Sequence, residues 1–150
     1  MKITHIITDL DTGGAEIMLY KLLASPNDEA LNYTVISLMG RGKITERIEA
    51  LGVKVETLNL GQGERPSWQT IKKLRQIMQA SNPDIVQGWM YHGNIAATVA
   101  VFLFDPMRRK VKLFWNVRQT LYDINSEKMQ TRWLIVLGRW LSFFPHSIIY

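Results

Sequence analysis

The chain has 150 residues, of which 47% are hydrophobic and 21% charged, enough to bury one proper core, and it reads as a single domain. It contains no cysteine, which excludes a disulfide framework, a thiolate metal site and a thiol nucleophile; a reducing compartment, the cytoplasm, is the expected location. The formal net charge of +5 admits nucleic acid, an anionic membrane surface or a phosphorylated ligand as partner, but the one compact basic run is Arg108-Arg109-Lys110, and with no finger, helix-turn-helix or RNP-like pattern beside it nucleic acid is not expected.

Apolar runs of strand length alternate with stretches of helical spacing, the pattern of parallel βαβ units. A first strand is expected over Lys2 to Thr8, too short an apolar run, ahead of Asp9 and Asp11, for the core of a signal peptide. Turn formers from Asp9 to Gly14 lead into a helix over Ala15 to Leu23, closed by Ser25-Pro26-Asn27. Tyr33 to Met39 reads as the second strand, Lys43 to Leu51 as an amphipathic helix with Gly52 as a left-handed cap, and Val53 to Leu60 as the third strand. Ser67 is positioned to cap a helix over Ile71, Leu74, Ile77 and Met78 that ends near Ser81-Asn82-Pro83. A strand over Asp84 to Trp89, a helix over Asn94 to Phe104, a strand over Val111 to Val117, a long helix from about Ser126 to Phe144 and a strand starting at Ser147 complete the order. The expected fold is α/β: a Rossmann-like, doubly wound, mainly parallel sheet with helices on both faces. Arg132 and Arg139 interrupt the most apolar segment, so no membrane-spanning helix is expected. A chain that closes on the apolar strand Ser147-Ile148-Ile149-Tyr150 is expected to be followed by further sequence.

In an open parallel sheet, ligands collect at the carboxyl ends of the strands, which directs attention to the residues after Thr8, Met39, Leu60, Trp89 and Val117. Gly13 and Gly14 stand at the start of the first helix, where unpaired N–H groups and the positive end of the dipole face an incoming anion and glycine permits close approach. A tight strand-to-helix turn also uses glycine, and Glu16 complements the dipole in the first turn.

Thr12-Gly13-Gly14-Ala15-Glu16 after an N-terminal strand, the strand Asp84-Ile85-Val86-Gln87-Gly88-Trp89 with His92 in the loop after it, and Leu113-Phe114-Trp115-Asn116-Val117-Arg118 occur in the order found in family 4 glycosyltransferases. The chain resembles the N-terminal, acceptor-side domain of these retaining GT-B enzymes over all 150 residues. The resemblance implies an enzyme that transfers sugar from a nucleotide donor, with the donor-binding C-terminal domain, and any catalytic residues it holds, absent from this chain. It places Gly13, Gly14 and Arg118 near the donor diphosphate or the reacting hydroxyl, and Glu16, His92, Asn116 and Gln119 at the acceptor. Arg118 stands where several relatives carry histidine, which keeps anion binding but not the chemistry of a neutral imidazole. No cofactor and no metal are implied, because amides and a guanidinium suffice to stabilise a departing nucleoside diphosphate. A saccharide or lipid-linked acceptor in polysaccharide or glycolipid assembly is the implied partner.

Two other readings stay open. Asp9-Leu10-Asp11-Thr12 resembles the Asp-x-Asp-x-Thr loop of haloacid-dehalogenase-type phosphatases, although the later lysine and the carboxylate pair for magnesium have no counterpart; an Asx-type turn explains the same residues. A non-catalytic nucleotide- or partner-binding Rossmann module is the third reading, while the absence of Gly-x-Gly-x-x-Gly argues against a nicotinamide enzyme. Finally, Met129, Trp133, Leu137, Trp140, Leu141 and Phe144 share a helical face flanked by cations, and with Arg108, Arg109, Lys110 and Lys112 they form a candidate peripheral membrane surface, although packing on the sheet accounts for most of such a stripe.

Overall fold

The computed structural model describes residues 1–26, 31–107, 109–117 and 141–149. Six strands, β1 (Lys2–Ile7), β2 (Asn32–Ser37), β3 (Lys54–Thr57), β4 (Ile85–Trp89), β5 (Lys112–Asn116) and β6 (Ser147–Ile149), form one sheet in the order β3-β2-β1-β4-β5-β6. Every neighbouring pair is parallel. Four helices accompany them among the described residues: α1 (Gly14–Ala24), α2 (Thr45–Glu49), α3 (Trp68–Ser81) and α4 (Met90–Phe104). The expected Rossmann-like α/β architecture is therefore the observed one.

The alternation of each strand divides the core into two layers. Ile6, Ile36, Val86 and Leu113 face α3 and α4, where Leu74, Ile77, Met78, Ala97 and Val101 meet them. Ile7, Val35 and Trp89 point to the opposite face and pack with Leu19 and Leu23 of α1 and Ile44 and Ile48 around α2. His5 lies on this second face, stacked on Tyr33 with centroids 5.7 Å apart, and its Nδ1 accepts the Trp89 indole N–H at 3.3 Å. Its Nε2 meets no hydrogen-bonding partner among the described residues, and burial pushes its pKa down to about 4, a fall that Gln87 on the adjacent strand only partly opposes. A structural role for His5 fits this setting.

Local signals behaved as the sequence predicts at several ends. Ser67 Oγ accepts the Thr70 N–H at 3.2 Å and caps α3, which ends at the left-handed Asn82 (φ 44) before Pro83. Gly52 (φ 79) follows α2. The differences lie where tertiary bonds take over. α2 is shorter than the expected Lys43 to Leu51: ahead of it Ile44 N–H is held by Leu10 O of the loop after β1, and behind it Gly52 N–H closes a turn on Glu49 O. β3 ends at Thr57, but Leu58 N–H to Ser37 O and Leu60 N–H to Leu38 O carry its pairing past the left-handed Asn59 (φ 56).

The largest correction concerns α4, expected from Asn94 and observed from Met90, directly after β4. Met90 at φ 62 turns the chain within one residue, and two glycines clear the path. A Cβ on Gly88 would lie 2.5 Å from Asn94 Cα, and one on Gly93 would lie 2.6 Å from the Ile6 carbonyl oxygen. The first turn of α4 thus rests directly on the ends of β1 and β4. Its Asn94 carboxamide then behaves as an extra strand edge: Nδ2 donates to Asn116 O at 3.4 Å while Oδ1 accepts Asn116 N–H at 3.3 Å. Trp115 Nε1–H donates to Thr98 Oγ1 at 3.1 Å, and that hydroxyl donates to Asn94 O at 2.9 Å, so the clamp is built into a buried chain of bonds.

The helix expected over Ser126 to Phe144 lies largely outside the described residues. Of its apolar face, Leu141 packs against the α3/α4 core layer and the Phe144 ring meets Phe102 of α4 edge-on at 5.1 Å, so both make contacts within the domain. Among the described residues, no helix is long and apolar enough to cross a membrane.

Candidate functional site at the β1–β4 switch point

The strand order reverses between β1 and β4: β1 leads outward to β2 and β3, and the chain then returns to the other side of β1. The carboxyl ends of the strands at such a switch point are the usual ligand site of these sheets. From β1 comes the segment Thr8 to Gly13 and the start of α1; from β4 comes the start of α4, pressed against Ile6 through Gly93.

Gly13 is the N-cap of α1, in extended backbone, and Gly14 is its first residue. The two glycines are not equivalent. A Cβ at Gly13 would strike the Glu16 carboxylate, whereas one at Gly14 meets nothing within 4 Å. Glu16 folds back so that its carboxylate lies against Gly13, within the influence of the Gly13 and Glu16 backbone N–H groups, in the manner of the returning half of a capping box. Burial foremost, with Asp9 and Asp11 adding repulsion, raises its pKa despite the opposing pull of those two backbone groups. The helix end that the sequence offers to an anion is therefore covered by the chain's own carboxylate, and Gly14 is the exposed glycine beside it.

Asp9 and Asp11 serve the loop. Asp9 Oδ1 accepts the Asp11 N–H at 3.0 Å, an Asx-type bond, and Asp11 Oδ1 accepts the Lys43 N–H at 3.4 Å, joining this loop to the one after β2. The two loops come into backbone contact where Gly42 passes Leu10 and Asp11 without room for a Cβ. Among the described residues, no grouping of three acidic or histidine side chains is placed to hold a metal ion.

His92 does not stand in a loop, as the sequence suggested, but in the first turn of α4. The residue is exposed at the surface, yet its imidazole lines a cavity of about 330 Å³ between α3 and α4, and desolvation there lowers its pKa below the ordinary histidine value. His92 is consequently neutral at neutral pH. Asn116 is buried, only 2% exposed, with its backbone clamped by Asn94. Arg118 and Gln119 lie outside the described residues. His146 sits edge-on to Phe114 with centroids 5.9 Å apart, and its N–H donates to Leu113 O at 2.6 Å, a structural placement.

The structure thus brings Gly13, Gly14 and Glu16 together on α1 and sets His92 on α4, the two helices that flank the switch point. Sequence reading missed Gly88, Gly93 and Asn94, which set where α4 begins. The signal was present as two glycines bracketing the strand-to-helix junction, but a four-residue loop looked equally natural there.

No family model matches the chain, and no curated protein matches it in sequence. Solved structures do. The S. aureus MnaA–UDP co-structure superposes with a TM-score of 0.65 at 18% identity, over 98% of this chain and 38% of that one. The UDP-GlcNAc 2-epimerase from Methanocaldococcus jannaschii gives a TM-score of 0.56 at 15% identity, over 89% of this chain and 36% of that one. The chain spans less than two fifths of either neighbour, and what it shares with both is the Rossmann-like fold.

Proposed function

We propose that this domain forms one wall of the cleft of a nucleotide-sugar-dependent glycosyltransferase of the GT-B type, the acceptor-side half of an enzyme whose donor pocket lies on a second domain. The observation that carries the reading is the exposed Gly14 at the α1 N-terminus, at the switch point, where neither backbone conformation nor space requires a glycine. A glycine without structural need is what a bulky anion approaching the amides would select. The similarity of fold to two proteins whose names include UDP or UDP-GlcNAc supports a nucleotide-sugar ligand, and the motif resemblance supports transfer.

In this reading, Glu16 swings away from the Gly13 and Glu16 amides when the donor diphosphate arrives, and those N–H groups meet the negative charge that develops as the nucleoside diphosphate departs. Neutral His92 accepts a hydrogen bond from the acceptor hydroxyl and orients it. Arg118 adds a cation to the same charge.

The test is incubation of UDP-sugars with an acceptor, comparing the 150-residue chain with the protein extended by its donor-binding half. Transfer by the extended protein and none by the isolated chain is the expected outcome. Acceptor-independent interconversion of UDP-GlcNAc with its 2-epimer would instead favour an epimerase, the activity named for one of the neighbours.

A further inference from the structure

The 330 Å³ cavity beside His92 is of the size of ligand pockets in general. Leu58 and Leu60 beyond β3, Ile71 on α3, and Ile95 and Val99 on α4 contribute to its walls, and the polar side chains in its lining are Glu64, Thr70 and His92. Two of these three are already engaged. Glu64 accepts the Gly61 N–H at 2.7 Å, and the Thr70 hydroxyl shares a hydrogen bond with Ser67 Oγ at 3.0 Å. His92 stands at the switch-point end of α4, and Val99, two turns further along the same face, is 40% exposed at the rim.

A sugar placed inside would lose water from several hydroxyls and find few partners, at a cost for each one left unpaired. An alkyl chain loses nothing by entering and gains from every methylene removed from water. Resting on the transferase reading, we propose that this cavity binds the apolar part of the acceptor, an alkyl chain or comparable aglycone, with the hydroxyl to be glycosylated emerging past His92 toward the cleft. The acceptor class is therefore amphiphilic rather than a free sugar.

The experiment is calorimetric titration of the 150-residue chain with methyl, n-hexyl and n-octyl β-D-glucoside, each below its micellar concentration. Octyl glucoside is expected to saturate one site, hexyl glucoside to bind about fifteenfold more weakly, near fourfold per methylene, and methyl glucoside to give no saturable heat. Val99→Trp, which can fold into the cavity from its exposed rim, is expected to weaken octyl glucoside at least tenfold, and Ile71→Gln to do so by making the wall polar, with each variant's melting temperature verifying its fold. No saturable binding of octyl glucoside, affinity independent of chain length, or undiminished binding in both folded variants would overturn the proposal. Because these readouts involve no nucleotide and no turnover, they stand apart from the transferase test: chain-length-dependent binding without transfer would remove the enzyme reading and leave the cavity's ligand class in place.

Discussion

A methyl group at position 88 would lie 2.5 Å from Asn94 Cα, 2.7 Å from its Oδ1 and 2.8 Å from its backbone nitrogen. Ordinary contact begins near 3.4 Å, so in Gly88→Ala the first turn of α4 has to retreat from β4 by roughly 0.9 Å, an overpacking that costs about 1–3 kcal/mol. The same displacement loosens the two bonds between the Asn94 carboxamide and the Asn116 backbone, each worth about 1 kcal/mol. A combined loss of about 2–4 kcal/mol translates, for a domain of this size, into a melting temperature lower by roughly 5–15 °C. Gly14→Ala is the matched control: its Cβ has open space, its φ is not left-handed, and alanine favours the helix, so melting should be unchanged within about 3 °C or slightly raised. In the extended protein, however, Gly14→Ala is expected to reduce sugar transfer, and Gly14→Val to reduce it further. Thermal unfolding followed by circular dichroism, with turnover measured on the same preparations, gives both readouts. An equally stable Gly88→Ala would refute the close approach of α4 to the sheet, and full activity in Gly14→Val would return the glycine pair to a purely local role.

Other expectations follow from single groups. His5 titrates near 4 when folded and near 6.5 when unfolded, so below pH 6.5 the unfolded chain binds a proton that the native one refuses. Its contribution is complete above pH 6.5 and is lost as pH falls toward 4, by about 3 kcal/mol in all; urea titrations at pH 7.5 and 4.5 should show that loss shrinking in His5→Gln, and an identical pH dependence in both proteins would refute it. Ser67→Ala removes the oxygen that accepts the Thr70 N–H and should cost about 1 kcal/mol in the same assay, a loss that Ser67→Asp restores. Peripheral membrane association is tested by co-sedimentation: binding to anionic but not neutral vesicles, weakened by salt and by Arg108→Gln with Arg109→Gln, is expected, and no binding to anionic vesicles at low salt would show that the cluster is an ordinary solvated surface.

The succession of strands and helices was legible because each fully covered parallel strand is a short apolar run and each crossover helix repeats its apolar residues at helical spacing. Ser67 announced its cap, Gly52 its left-handed position and Gly13-Gly14 the start of α1, all through bonds within a few residues of chain. What depends on neighbours distant in sequence was not legible. The start of α4 is set by Gly88 meeting Asn94 and Gly93 meeting Ile6, contacts that exist only once β4 lies beside β1. The cavity at His92 is likewise made by two helices and the ends of two strands that share no local pattern. Glu16 looked like a complement to the helix dipole, and only its fold-back shows that it occupies the amides an anion would need. Local chain chemistry thus determined the elements and their ends, whereas the strand order of the sheet decided which of those ends face one another, because the cores on its two faces form between residues far apart in the chain.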